Sequence, residues 1–202
     1  MRLNRQIFSV LSLGGVVLLG ARPAHAAAAP MEDAPHHYLK ALLHETQGNL
    51  AAAQEELQAA VKLSPKSAYL FRETAEFDFR LGELKKAEQD VEKAIEINPQ
   101  SVRALILAGQ IYWADGEAEK AEEKLRQAVK LSPDDSDAVV NLAGAVTPKN
   151  PHEAIRLYND YLVRHPGSVD MQEHVAQLYQ SIGDTDSAKR SWDDSDRRAL
   201  LS

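Results

Sequence analysis

Apolar residues return along this chain at helical spacing, in stretches parted by turn-forming residues. Leu57, Ala60, Val61 and Leu63 mark one such stretch. The pattern predicts helices in pairs. First members fall near 35–47, 68–81, 102–115, 136–146 and 169–182, and second members near 51–63, 84–97, 118–131, 151–164 and 185–198. Ser101, Ser136 and Ser168 stand where helix N-caps are wanted. No strand-like alternation and no long linker interrupts the series.

The pairs carry a recurring phrase. Gly48, Ala53, Ala60 and Pro65 return as Gly82, Ala87, Ala94 and Pro99, and again as Gly116, Ala121, Ala128 and Pro133, with a step of 34 residues. Glycine is suited to the left-handed residue that ends a helix, since it has no Cβ to clash. The alanines lie seven apart on the second helix, share a face and let neighbouring helices approach. A leucine there would overpack at roughly 1–3 kcal/mol. The prolines follow the second helix and stop it. A fixed period of this length marks stacked units, each burying its apolar face against the next.

The register resembles the tetratricopeptide repeat (TPR), whose pattern places small residues at positions 8, 20 and 27 of 34 and proline at 32. Position 8 is Ala41, Ala75, Gly109, Ala143 and Ala176, and position 20 is Ala53, Ala87, Ala121, Ala154 and Ala188. Position 27 is Ala60, Ala94 and Ala128, then Tyr161 and Ser195, while position 32 is Pro65, Pro99, Pro133 and Pro166. The resemblance implies an all-α fold, a right-handed α-solenoid of five helix-turn-helix units spanning 34–67, 68–101, 102–135, 136–168 and 169–202. The fourth unit departs from the pattern. It is one residue short, and Thr147-Pro148-Lys149-Asn150-Pro151 replaces the turn glycine. Pro148 should end its first helix early, Asn150 should cap the second, and Pro151 suits the first helical position. With Tyr161 in place of a small residue, the helix pair there is expected to be displaced, as a hinge, an altered binding surface or a neutral turn deletion. In the fifth unit, Asp193, Asp194, Asp196, Arg197 and Arg198 are expected to supply a polar outer face.

The first stretch reads as a targeting segment. Arg2 and Arg5 precede an apolar run from Ile7 to Ala21, followed by Ala24-His25-Ala26. That is the layout of a secretory signal peptide over residues 1–26, with cleavage after Ala26 or, alternatively, Ala28. The run is shorter than the roughly 18–20 apolar residues of a membrane span; an uncleaved anchor is the other reading. Residues 27–33 form an alanine-rich, flexible lead, and the expected location is periplasmic or secreted. The whole chain carries a net charge of −7. Residues 1–26 hold three arginines and no acid, so without them 20 basic face 30 acidic residues, a net of −10. Such a balance disfavours nucleic acid or an anionic membrane as partner. The chain has no cysteine, which excludes disulfides and thiol chemistry.

The TPR resemblance implies that the first helices line a concave groove, with positions 2, 5, 9, 12 and 13 pointing into it. The second unit then offers Tyr69, Arg72, Glu76, Phe79 and Arg80, and the third Arg103, Ile106, Gln110, Trp113 and Ala114. The first adds Tyr38, Leu42 and Glu45, and the later units Asp137, Val140, Asp170, Glu173 and Gln177. Tyr38, Tyr69, Arg72, Phe79, Arg80, Arg103, Gln110 and Trp113 form the expected partner-binding set. Aromatics with arginines anchor protein recognition, and arginine grips carboxylates in two-pronged fashion. A protein or peptide of acidic or apolar character is therefore the expected occupant. The competing reading packs the aromatics between helices and pairs the arginines with nearby glutamates. Tyr38, Leu42 and Glu76 do not suit the lysine/asparagine clamp with which some TPR proteins hold a C-terminal carboxylate.

Chemistry is sparse elsewhere. His36, His37 and His44 invite a metal reading, but His37 and His44 occupy large, helix-packing places of the repeat. Asp134-Asp135-Ser136-Asp137 and Asp193-Asp194-Ser195-Asp196 lack the glycine and late glutamate of a calcium loop and read as solvated caps. No phosphate loop, nucleophile elbow or zinc-protease pair is found. The expectation is an exported adaptor with no enzymatic activity, cofactor, metal or small-molecule substrate, serving envelope assembly or secretion. A self-associating repeat protein, burying Leu200 and Leu201 against a second copy, is the alternative.

Overall fold

The computed structural model describes residues 33–191. They form α1 (Ala34–Thr46), α2 (Leu50–Leu63), α3 (Ala68–Arg80), α4 (Leu84–Ile97), α5 (Val102–Ala114), α6 (Ala118–Leu131), α7 (Ser136–Val146), α8 (Pro151–Arg164) and α9 (Val169–Ser181). Residues 185–191 are also helical, and the described residues contain no strand. None of these helices is long and apolar enough to cross a membrane. The expected signal peptide, most of the flexible lead, Asp193–Asp196 and Leu200–Leu201 lie outside the described residues.

Helices pack in sequence, α1 on α2, α3 on α4 and α5 on α6, and each pair joins the next through its second helix. The result is an all-α right-handed solenoid. The repeat alanines make this stacking close: Ala53, Ala60, Ala75, Ala87, Ala121, Ala128, Ala143 and Ala154 are all 0% exposed. Gly109 is the tightest contact. A Cβ there would lie 2.5 Å from Leu125 Cγ, on the second helix of the same pair. Leu125 in turn packs with Val139, Leu142, Ala154 and Tyr158, tying the third pair to the fourth.

The turn glycines act as expected. Gly48, Gly82 and Gly116 have φ of 76°, 77° and 82°, and Gly183 repeats the geometry at 82°. In the second unit the Gly82 amide donates to Phe79 O and the Glu83 amide to Asp78 O, at 3.0 and 2.9 Å, which satisfies the last carbonyls of α3. No neighbour crowds a Cβ at Gly82, so Gly82→Ala isolates the backbone term. It should lower unfolding stability by about 1–2 kcal/mol in a urea titration, with the fold unchanged.

Side-chain caps open most first helices. Ser67 and Ser101 accept from the amides of Leu70 and Ala104, each at 3.3 Å. One expectation is corrected: Asp135, not Ser136, caps α7, accepting from the Ala138 amide at 3.0 Å. Ser136 is the first residue inside that helix, and the carboxylate one place earlier is the group in reach of the third helical amide. Ser168 flanks α9 but its hydroxyl makes no capping bond.

The fourth unit differs as its sequence suggested. α7 has 11 residues where α5 has 13, ending at Val146 before Pro148. Asn150 caps α8 by accepting from the Glu153 amide at 3.2 Å, with Pro151 at the first position. α7 and α8 run close together over less of their length than the first three pairs. Tyr161 is buried and stacks on His165 with ring centroids 4.4 Å apart. Asp134 accepts from Arg164 Nε at 2.6 Å, clipping the turn between units to the end of α8. That bond, then His165, lowers the carboxyl pKa of Asp134.

Candidate functional site: a groove along the first helices

Helical periodicity on α3, α5 and α7 brings the expected groove residues onto one face. Two adjoining clefts run along it. One, of about 630 Å³, has Arg72, Arg80, Arg103 and Asp137 in its walls. The other, of about 520 Å³, is bounded by Trp113, Val140, Gly144 and Ala145. They meet at Phe79, Gln110 and Asn141, which line both. Together they are of the size that holds a small ligand or a few side chains of a partner.

In the charged cleft two of the three arginines follow the competing reading and pair with glutamates. The Arg72 side chain is only 12% exposed; it donates to Glu73 and, at 3.0 Å, to Glu76. Its guanidinium also lies 5.3 Å from the Tyr69 ring centre. Arg80 pairs with Glu45 and lies 3.6 Å from Glu76. Glutamates one and four residues along α3, and one brought over from α1, answer these two arginines. Arg103 is different: it is exposed and forms no ion pair among the described residues. Asp137 and Asp135 stand in the wall of the same cleft, and Asp135 is already engaged as a cap.

The first two units are joined across this face by a polar network. Tyr38 donates to Glu73 at 2.8 Å and lies 2.9 Å from the Tyr69 hydroxyl, with the two rings edge to face. Burial, then the bonds to Tyr69 and Glu73, pushes the Tyr38 phenol pKa well above its ordinary value. Tyr38 therefore serves the joint between units, while Tyr69 keeps 52% of its surface exposed.

The second cleft is more apolar. Trp113 is 45% exposed, and Phe79 is half-buried beside it. Gln110 donates to Asn141 Oδ1 at 3.0 Å, and Asn141 donates to the Asp137 carbonyl at 2.8 Å, bracing α5 against α7. Gly144 opens the floor: a Cβ there meets nothing within 4 Å. Gly144, Asn141 and Ala145 were missing from the expected set. Gly144 was within reach of the register, since it occupies the groove position held by Glu76 and Gln110.

The histidines do not gather. His37 pairs with Glu56, and that bond is the main cause of the lowered carboxyl pKa of Glu56. His44 Nδ1 is buried with no hydrogen-bond partner among the described residues. Among the described residues no group of three or more His, Cys, Asp or Glu is arranged to hold a metal ion.

The arrangement has known counterparts. A solved MamA fragment from Desulfovibrio magneticus RS-1 is similar at TM-score 0.71 and 14% identity, over 86% of this chain and 99% of that one. YrrB, described as a TPR protein with an unusual peptide-binding site, matches at TM-score 0.63 and 18% identity, over 82% of this chain and 86% of that one. The first TPR domain of Spaghetti (RPAP3), solved with an HSP90 peptide, matches at TM-score 0.54 and 22% identity, over 57% of this chain and 92% of that one. No curated protein matches the chain. The family model for the middle TPR-like domain of cilia and flagella-associated protein 70 matches residues 41–194. With that match over most of its length and with hairpins stacked in TPR register, the chain belongs to this family of TPR-like domains.

Proposed function

We propose that this protein is an exported adaptor that holds a segment of a partner protein in the groove along its first helices. One observation carries the reading: a half-exposed tryptophan, Trp113, stands beside an open floor at Gly144, in a cleft that adjoins Arg103, which forms no ion pair among the described residues. Exposed aromatic and arginine side chains are the usual energetic centres of protein recognition. The peptide-binding descriptions of YrrB and of the Spaghetti domain support a partner of this kind.

The partner is apolar at one end and acidic at the other. Arg103 and Trp113 lie on one helix ten residues apart, about 15 Å along its axis. An extended peptide covers that length in roughly 4–5 residues. It would place a large apolar side chain beside Trp113 and a carboxylate on Arg103. Arg72 and Arg80 shape the groove through their own glutamates. Export rests on the Arg2/Arg5 start, the apolar run and Ala24-His25-Ala26, and it places the adaptor in the periplasm or outside the cell, in envelope assembly or secretion.

The test is in-cell crosslinking of the full chain. A photoreactive residue at Gln110, in the groove, should yield an adduct with a defined partner, whereas one at the outer-face residue Glu96 should not. Arg103→Glu should weaken that adduct while leaving helix content intact. Equal labelling from both positions, or no effect of the charge reversal, would count against the groove.

A further inference from the structure

Asp78 occupies the place held by His44, Tyr112, Val146 and Tyr179 in the other units. It is 0% exposed, and among the described residues its Oδ2 has no hydrogen-bond partner. Its Oδ1 accepts from Gln54 Nε2 of α2 at 2.6 Å. A second carboxylate, Asp90 on α4, is half-buried, close enough to interact electrostatically with Asp78, and hydrogen-bonded to Gln58 of α2. Two amides of the first helix pair thus hold two carboxyls of the second. α2 meets α3 over less of its length than α4 meets α5 or α6 meets α7, so side-chain bonds carry more of this joint.

We propose that the joint between the first and second helix pairs is a proton-dependent clasp, in which the enclosed Asp78 takes up a proton against Gln54 of α2 and the joint tightens as pH falls. A buried carboxylate with an unpartnered oxygen beside a second carboxylate is unfavourable when both are charged. A proton on Asp78 gives the enclosed carboxyl a hydrogen to donate and removes its repulsion on Asp90. Burial, followed by the charge of Asp78, pushes Asp90 up to about 6, and burial raises Asp78 as well.

The surrounding charges do not replace the proton. Lys86 on α4 and Glu83 at its N-cap act on Asp78 with opposite sign. Glu55 and Lys62 on α2, of opposite charge, line a cleft shared with Gln54, Gln58, Lys86 and Asp90. α5 carries a single charged residue, Arg103, and it stands in the groove. Because the first pair also brings Tyr38 and Glu45 to Glu73 and Arg80, the clasp governs one end of the groove.

The sign follows from the direction of the shifts. Carboxyls raised in the folded protein contribute stability that is complete below their unfolded values, near 4, and is lost as pH rises through the folded values. The unfolding midpoint of the full chain, followed by circular dichroism, should therefore rise by about 3 °C from pH 7.5 to 5.5. Asp78→Asn supplies a permanent donor, so it should flatten this profile and unfold at pH 7.5 no earlier than the unsubstituted protein. Carboxyl carbon NMR of the unsubstituted protein should find Asp90 titrating near 6, and in Asp78→Asn nearer to an ordinary aspartate. A flat or falling midpoint on acidification, the same rise in Asp78→Asn, or an Asp90 midpoint below 4.5 in the unsubstituted protein would each overturn the clasp.

Discussion

Leu125→Ala is expected to destabilise the protein by about 2–5 kcal/mol, the usual cost of emptying a filled core site. Leu125 is 2% exposed and contributes to the cluster shared by the third and fourth pairs. Its other neighbour is the bare backbone of Gly109. Adding a methyl at Gly109 places a carbon 2.5 Å from Leu125 Cγ and 2.7 Å from Cδ2, well inside contact distance. Gly109→Ala alone should therefore cost about 1–3 kcal/mol through overpacking, despite the better helix propensity of alanine, which returns up to about 1 kcal/mol. The two changes together should be less harmful than their sum, because the new methyl enters the space that the leucine left. Urea unfolding of the two single variants and the double variant measures this coupling. Strict additivity would show that Gly109 is not where the helices of the third pair are held together.

Gly144→Leu should abolish partner capture without harming the fold. The position is helical, and a Cβ there meets nothing within 4 Å, so the new side chain extends into the cleft beside Trp113. Replacing a helix-interior glycine should itself stabilise α7 by about 0.5–1 kcal/mol. Trp113→Ala removes the aromatic anchor from the opposite wall, a change worth about 2 kcal/mol or more at a recognition centre, or roughly thirtyfold in affinity. Both variants should lose the adduct formed from Gln110, with unfolding midpoints equal to or above that of the unsubstituted protein for Gly144→Leu. Capture that survives both would move the binding surface away from this cleft.

Much of the fold was legible before any coordinates. The 34-residue spacing located α1 to α9 to within a residue or two, because glycine, alanine and proline at fixed offsets are local demands of turn and close approach. The early end of α7 and the cap at Asn150 were equally readable, being set by Pro148 and by a side chain acting three residues along. The site was legible only in its membership. Register alone put Tyr69, Arg72, Phe79, Arg80, Arg103 and Trp113 on one face. Glu73 and Glu76, near Arg72 on the same helix, were within reach of the competing reading, but register could not show that Arg80 is answered by Glu45, which arrives from 35 residues away.

By itself the sequence determined the repeat, its period, its turns and which helix face each residue occupies, since all of these are short-range consequences of backbone geometry and side-chain size. Tertiary structure alone decided which charges are cancelled and which remain open. It left Arg103 with no ion pair among the described residues, opened the floor at Gly144 and enclosed Asp78 against Gln54. Those outcomes depend on how far one helix pair rotates and shifts against the next. Electrostatic and desolvation energies change over an ångström or two of such movement, and no spacing along the chain records it.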